Sequence, residues 1–245
     1  MRVIAISSQK GGSGKSTIAG HLAVAAAEGG AEKIGLVDTD PQGSLDAWAA
    51  ERVNDWPLFS TATSQTLDSV LESMRKRGVR IAFVDTPPAI TRAIEGVVHR
   101  SDMVIIPTRP SPHDLRAAGA TVDLVEGIGK PLVFVVNGAT PRARLTGEAA
   151  IALSQHGTVA PAVLHNRQDF AWSMIDGRTV LEASANGKSA DEVANLWAYI
   201  GDRIKRLPVR APIRAAVRER PNFGRGFGSV DRSLQGPSAN IIPAE

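Results

Sequence analysis

Short, nearly unbroken apolar runs recur along this chain, separated by longer stretches in which apolar residues return every three or four positions. The runs are Val3 to Ile6, Ile34 to Val37, Val79 to Val84, Met103 to Ile106, Leu132 to Val136 and Val159 to Leu164. Strands without polar alternation are those of a parallel sheet covered on both faces. Between them, Ile18, Leu22 and Ala25 share a helix face, and Ser44, Leu45 and Trp48 suggest a second helix. Leu67, Val70, Leu71 and Met74 mark a helix from about Gln65 to Arg77, and Val97 and Val98 close a short one. Ser111 followed by Pro112 is a helix entry, with Leu115, Val122 and Val125 along the helix. Leu145 to Gln155 reads as helical, residues 166–170 open a helix ending near Gly177, and Val193, Leu196, Trp197 and Ile200 line a last helix from Ala190 to Ile204. The alternation predicts an α/β fold: a doubly wound, mostly parallel sheet with helices on both faces.

The chemistry gathers where these strands end. After the first strand comes Gln9-Lys10-Gly11-Gly12-Ser13-Gly14-Lys15-Ser16-Thr17, and a helix follows at once. Strand, glycine loop and helix form the context of a phosphate-binding loop: glycines admit close backbone approach, and the helix start directs unpaired N–H groups and a positive dipole end at an anion. Lys15 adds a cation for the outer phosphates and Ser16 a hydroxyl for Mg²⁺. Gln9 stands where the general pattern has its first glycine, and Lys10 is a second lysine at the loop's entry. The second strand ends at Asp38-Thr39-Asp40-Pro41-Gln42, where open parallel sheets bind ligands. Either aspartate also suits a helix cap, and Asp-Pro is turn chemistry. The third strand ends in Asp85-Thr86-Pro87-Pro88, a carboxylate left at a strand tip and suited to Mg²⁺, directly or through water. The five histidines have no metal-ligand spacing.

Two lysines flanking a double glycine, followed by Ser-Thr, resemble the deviant phosphate loop of the ParA/MinD family. Asp-x-Asp-Pro-Gln is similar to that family's first switch, the strand-ending Asp85 to its second, and Pro107 to Leu115 to the proline-rich segment of small ParF-type partition ATPases. The resemblance spans roughly Met1 to Arg206. It implies a P-loop NTPase fold, with ATP and Mg²⁺ as cofactors. Gly11, Gly12, Ser13, Gly14, Lys15, Ser16 and Thr17 would hold the phosphates, Asn137 the adenine, and Ser16, Asp40 and Asp85 the metal. Lys15 would serve its own nucleotide, Lys10 would cross into the partner of an ATP-sandwiched homodimer, and Asp40 would orient the attacking water. The resemblance also implies nonspecific DNA binding, with Arg167, Arg178 and Lys188 as candidate contacts, and a partner protein, ParB-like or a cargo adaptor, that stimulates hydrolysis. Plasmid or chromosome segregation is the first expectation for the cargo, and positioning of a protein cluster or microcompartment the second. A MinD-like membrane-associated ATPase and a nucleotide switch without hydrolysis are the alternatives. With the loop starting within ten residues of Met1, no N-terminal DNA-reading domain is expected.

Charge divides the chain. From Arg203 onward there are nine basic and three acidic residues, leaving 19 basic and 22 acidic of the chain's 28 and 25 in the preceding part. An acidic body with a basic arm is therefore predicted, with domains at 1–206 and 207–245. The arm, rich in Pro, Gly and Arg, is expected to be disordered when free, and DNA contact, partner contact and solubility all remain open for it. The chain has no cysteine, which excludes disulfides and the thiolate-held clusters of iron–sulfur relatives. No apolar run nears the ~20 residues of a spanning helix, and Met1-Arg2 enters a strand without a signal-peptide pattern. The expected location is cytoplasmic, nucleoid-associated when ATP is bound, with no integral membrane association.

Overall fold

In the computed structural model, residues 1–30, 33–88 and 92–208 are described; the expected turn at Ala31-Glu32 and the arm beyond Pro208 lie outside them. Seven strands are hydrogen-bonded in one path: β3 (Leu58–Thr61), β2 (Lys33–Asp38), β4 (Val79–Asp85), β1 (Arg2–Ile6), β5 (Met103–Thr108), β6 (Leu132–Ala139) and β7 (Thr158–Val159). An eighth, β8 (Leu164–His165), pairs separately with β6. Every pairing is parallel, so all these strands end on the same side.

Alternate residues of each central strand feed two separate cores. Ile4, Ile6, Leu36, Phe83 and Ile105 pack with α1 (Lys15–Glu28), the buried side of α2 (Ser44–Ala50), α8 (Val180–Ala183) and α9 (Lys188–Arg206). Val3, Ala5, Val37, Val84 and Val104 pack with α3 (Leu67–Lys76), α4 (Arg92–Arg100), α5 (Pro112–Gly127) and α6 (Arg144–Ser154). This two-sided burial is why the strand sequences run apolar without a break. Helix α1 is buried from Ile18 to Ala26, and its alanines let it lie close between the sheet and α9. Among the described residues no helix is long and apolar enough to cross a membrane.

Three local expectations change. The edge strand β3 carries no periodic apolar signal, because its side chains are only partly buried. The strand expected over Val159 to Leu164 is two short pieces: Thr158 and Val159 pair with Val133 and Phe134, whereas Leu164 and His165 pair with Asn137 and Ala139. Pro161 between them has no amide to donate, which interrupts the ladder. The helix expected to end near Gly177 is shorter, α7 (Gln168–Ser173), and turns through Gly177 at φ 74° into α8.

His21 ties α1 to these last elements. Its Nδ1 lies 2.8 Å from the Thr17 carbonyl, its Nε2 accepts the Val180 amide at 3.3 Å, and its ring meets Phe170 edge-on. Complete burial lowers its pKa from 6.5 to about 4. The native ring therefore binds fewer protons than the unfolded one, so stability present above pH 6.5 is lost as pH falls toward 4. That contribution is on the order of 3 kcal/mol. Urea unfolding of wild type and His21→Gln should converge as pH is lowered from 7 to 4.5; curves that stay parallel would contradict this.

Candidate nucleotide-binding site

The loop between β1 and α1 opens at the carboxyl ends of the central strands. Gly12 and Gly14 adopt φ of 74° and 95°, a left-handed backbone that places the loop amides around one concavity. Lys15 is the first residue of α1 and only 6% exposed. Burial lowers its pKa, and the carboxylates of Asp85 and Asp40 act in the opposite direction. The loop is braced from behind by Asn137, whose Nδ2 donates to the Ser13 carbonyl at 2.7 Å. A side chain on Gly14 would put its Cβ 2.1 Å from that same nitrogen.

Two aspartates face each other beneath the loop, Asp38 opposite Asp85 in the register of β2 and β4. Asp85 is fully buried and accepts the Ser16 hydroxyl at 2.5 Å through one oxygen, while its other oxygen, Oδ1, has no partner. Burial, opposed by the Ser16 bond and reinforced by Asp38, pushes its carboxyl up to about 7. Asp38 accepts the Asp40 amide at 2.8 Å and the Leu45 amide at 3.1 Å, so it supports the first turn of α2. Asp40 accepts the Gln42 amide at 3.0 Å and lines the open cleft. The two aspartates thus differ in place: Asp38 holds amides at the start of α2, and Asp40 lines the cleft.

The cleft has a volume of about 700 Å³ and runs from Gly11 through Thr17 along Asp40 and the Trp48 face of α2 to Met174 and Ile175 after α7. Arg109, in the proline-rich run, also lines it, a role only the three-dimensional arrangement reveals. The profile of the CobQ/CobB/MinD/ParA nucleotide-binding domain matches residues 4–180, from within β1 to the start of α8. The chain belongs to the CobQ/CobB/MinD/ParA family. It is 28% identical over 209 residues to the maintenance of carboxysome distribution protein A of Halothiobacillus neapolitanus, covering 78% of this chain and 92% of that one. It is 30% identical over 221 residues to protein ParA of Rhizobium radiobacter, covering 84% and 98%. Among solved structures, the ATP complex of a Cyanothece McdA variant superposes with a TM-score of 0.66 at 14% identity, over 82% of this chain and 96% of that one. The parallel sheet flanked by helices is the MinD-like P-loop NTPase fold that this family shares.

The two loop lysines are treated differently. Lys10 does not line the cleft; its Nζ lies 3.0 Å from Asp114 on α5, and its side chain is 41% exposed. Asp114 is also held by Ser111, the residue capping α5, and the Gln9 amide donates to Thr121 on the same helix at 3.3 Å. The proline-rich segment therefore sets the entry of the loop, a link not visible in sequence because its partners lie more than a hundred residues apart. Of the candidate DNA contacts, Arg167 pairs with Glu192 at 2.7 Å and Arg178 with Asp176 at 2.6 Å, while Lys188 is exposed at the start of α9. None of the three lines the cleft.

Mg²⁺ fits the donors present. Asp85 Oδ1 and Ser13 Oγ are buried polar atoms without partners beside the loop. Among the described residues no group of three or more His, Asp or Glu side chains is arranged to hold a metal alone. An ion there would take most of its ligands from phosphate and water, the habit of Mg²⁺.

Proposed function

We propose that this chain is an ATPase that dimerises around ATP, binds DNA without reading its sequence, and uses that cycle to partition or position a cargo. The contrast between the two loop lysines carries the reading. Lys15 is buried at the cleft, whereas Lys10 stands outside it on Asp114. Lys10 thus serves no phosphate of its own protomer as it stands; freed from Asp114, it is the group that reaches a triphosphate held by a second copy.

In this reading the amides from Gly11 to Thr17 and the Lys15 ammonium bind the phosphates. Asn137 spends its Nδ2 on Ser13, leaving Oδ1 to accept the adenine amino group. Ser16, Asp85 and Asp40 would hold Mg²⁺, which when bound neutralises charge on the phosphate oxygens. Asp40 orients the attacking water, and Lys10 from the partner stabilises charge in the transition state. Catalysis is therefore positioning and electrostatics, and pairing of subunits is a condition for it.

Nonspecific DNA supplies the surface on which the dimer works, and a ParB-like protein or cargo adaptor releases it by stimulating hydrolysis. A chromosome fits a further relative, the chromosome-partitioning ATPase Soj of Thermus thermophilus, and a protein microcompartment fits the carboxysome-distribution relative. Asp40→Ala should accumulate as a dimer on gel filtration with Mg·ATP and remain monomeric with ADP. A profile that stays monomeric with ATP would overturn the proposal.

A further inference from the structure

The edge of the sheet opposite the nucleotide cleft is built from basic residues contributed by separate elements. Helix α3 ends in Arg75, Lys76 and Arg77 and turns at Gly78 into β4, whose second residue is Arg80. Every other residue of β4 is buried, so this central strand shows solvent one side chain, and it is a guanidinium. Beside it, Lys33 begins β2, paired with Val79, and its Nζ reaches the Arg77 carbonyl at 3.4 Å. On the other side is Arg2 of β1, whose guanidinium donates to the carbonyls of Leu207 at 2.6 Å and Pro208 at 2.7 Å. Helix α9 thereby brings Arg203, Lys205 and Arg206 to the same edge. The Met1 amine reports the crowding: burial lowers its pKa first, and the charges of Arg75 and Arg80 lower it further.

Acids answer part of this charge. Glu72 pairs with Arg75, Asp102 with Arg2 and Asp202 with Arg206. No ion pair among the described residues involves Lys33, Lys76, Arg77, Arg80, Arg203 or Lys205. Favourable placement at helix ends accounts for the basic last turns of α3 and α9. It does not account for Arg80, which belongs to a strand; Lys33, at the start of β2, also lies over the Trp56 ring, 5.8 Å from its centre.

We infer that this edge, centred on Lys76, Arg77 and Arg80, is a docking surface for the phosphate backbone of duplex DNA. The inference rests on the DNA-binding reading above and moves its main contact away from Arg167, Arg178 and Lys188. Guanidinium forks match phosphate oxygens bidentately, and a band of cations across neighbouring strand and helix ends offers several contacts at once. A lipid surface fits less well, because anchoring there needs an apolar face beside the cations. The large exposed apolar side chains among the described residues are Val53, Leu145, Ile151, Trp172 and Ile175, none on the end of α3, the start of β4 or the end of α9.

The test measures binding of the full chain, with Mg·ATP, to a fluorescent random-sequence duplex between 50 and 200 mM salt. Lys76→Gln/Arg77→Gln/Arg80→Gln should lower the magnitude of the log K against log salt slope by about 2 to 3 and weaken binding at least about tenfold at 100 mM. ATP-dependent dimerisation should be unchanged. Should the triple variant melt early, Arg80→Gln alone should lower the slope by about 0.9. Wild type that binds no duplex at low salt sinks the DNA reading itself. Wild type that binds, with an unchanged slope in these variants, overturns only this inference, and a loss of slope in Arg178→Gln/Lys188→Gln would then put the contacts on α7 to α9. Variants that lose co-sedimentation with phosphatidylglycerol vesicles while keeping the wild-type DNA slope would likewise overturn it.

Discussion

Lys10→Ala should bind Mg·ATP and fail to turn it over, with kcat lower by roughly a thousandfold or more, the scale of a cation supplied in trans to a transferring phosphoryl group. Binding survives because the loop amides and buried Lys15 are untouched. Turnover does not, because the missing ammonium acts only on charge that develops in the transition state. Lys10 also has a second attachment, the 3.0 Å pair with Asp114. Under the proposed function the Lys10 side chain leaves that carboxylate to cross, so dimer formation would exchange one charge partner for another instead of creating a pair from free ions. Phosphate-release kinetics alongside fluorescent-nucleotide binding would separate the two effects. Wild-type turnover in Lys10→Ala would remove the basis for a shared active site.

Arg52→Ala should cost about 3 to 5 kcal/mol in urea unfolding, the penalty for leaving a buried ion without its partner. The Arg52 side chain is 6% exposed and donates to Glu182 at 2.8 and 3.0 Å, to Trp56 O at 2.8 and 3.1 Å and to Gly177 O at 2.8 Å. It also lies over Trp48, whose indole donates to the Arg178 carbonyl at 2.9 Å. This cluster fastens the chain just after α2 to the turn between α7 and α8, and both sides of the junction line the cleft through Trp48, Met174 and Ile175. Arg52→Lys should recover only part of the loss, since an ammonium cannot reproduce the planar fork. An Arg52→Ala midpoint equal to wild type would show that the junction bears no stability.

What sequence reveals here depends on the range of the interaction. The phosphate loop and the carboxylates at the tips of β2 and β4 are legible because local order is enough: apolar strand, then turn, then polar residue. The edge strand β3 is not, because Leu58 to Thr61 are stabilised by pairing with Gly35 to Asp38 rather than by a pattern of their own. Asp38 and Asp40 look alike in the string, and only the direction of α2 separates the one bonded to Leu45 from the one facing the cleft. The three bonds that organise the site, Lys10 to Asp114, Asn137 to Ser13 and Arg52 to Glu182, each join residues more than a hundred positions apart. No window along the chain contains both partners. The basic run at Arg75 to Arg77 reads as a solvated helix end until Arg80, Lys33 and α9 are placed beside it.

Gly14 and Asn137 have a bearing on how this loop can evolve. A methyl group at position 14 meets the carboxamide nitrogen at 2.1 Å, and the backbone there sits at φ 95°, which side chains resist whatever the space. Shortening Asn137 would clear the collision and leave the torsional penalty; a compensating torsion would turn the amides away from the anion. The usual two-step route, a permissive change followed by a beneficial one, is therefore closed from either direction. At the rim of the cleft no such torsion operates: Arg109, Met174 and Ile175 are not among the positions with positive φ.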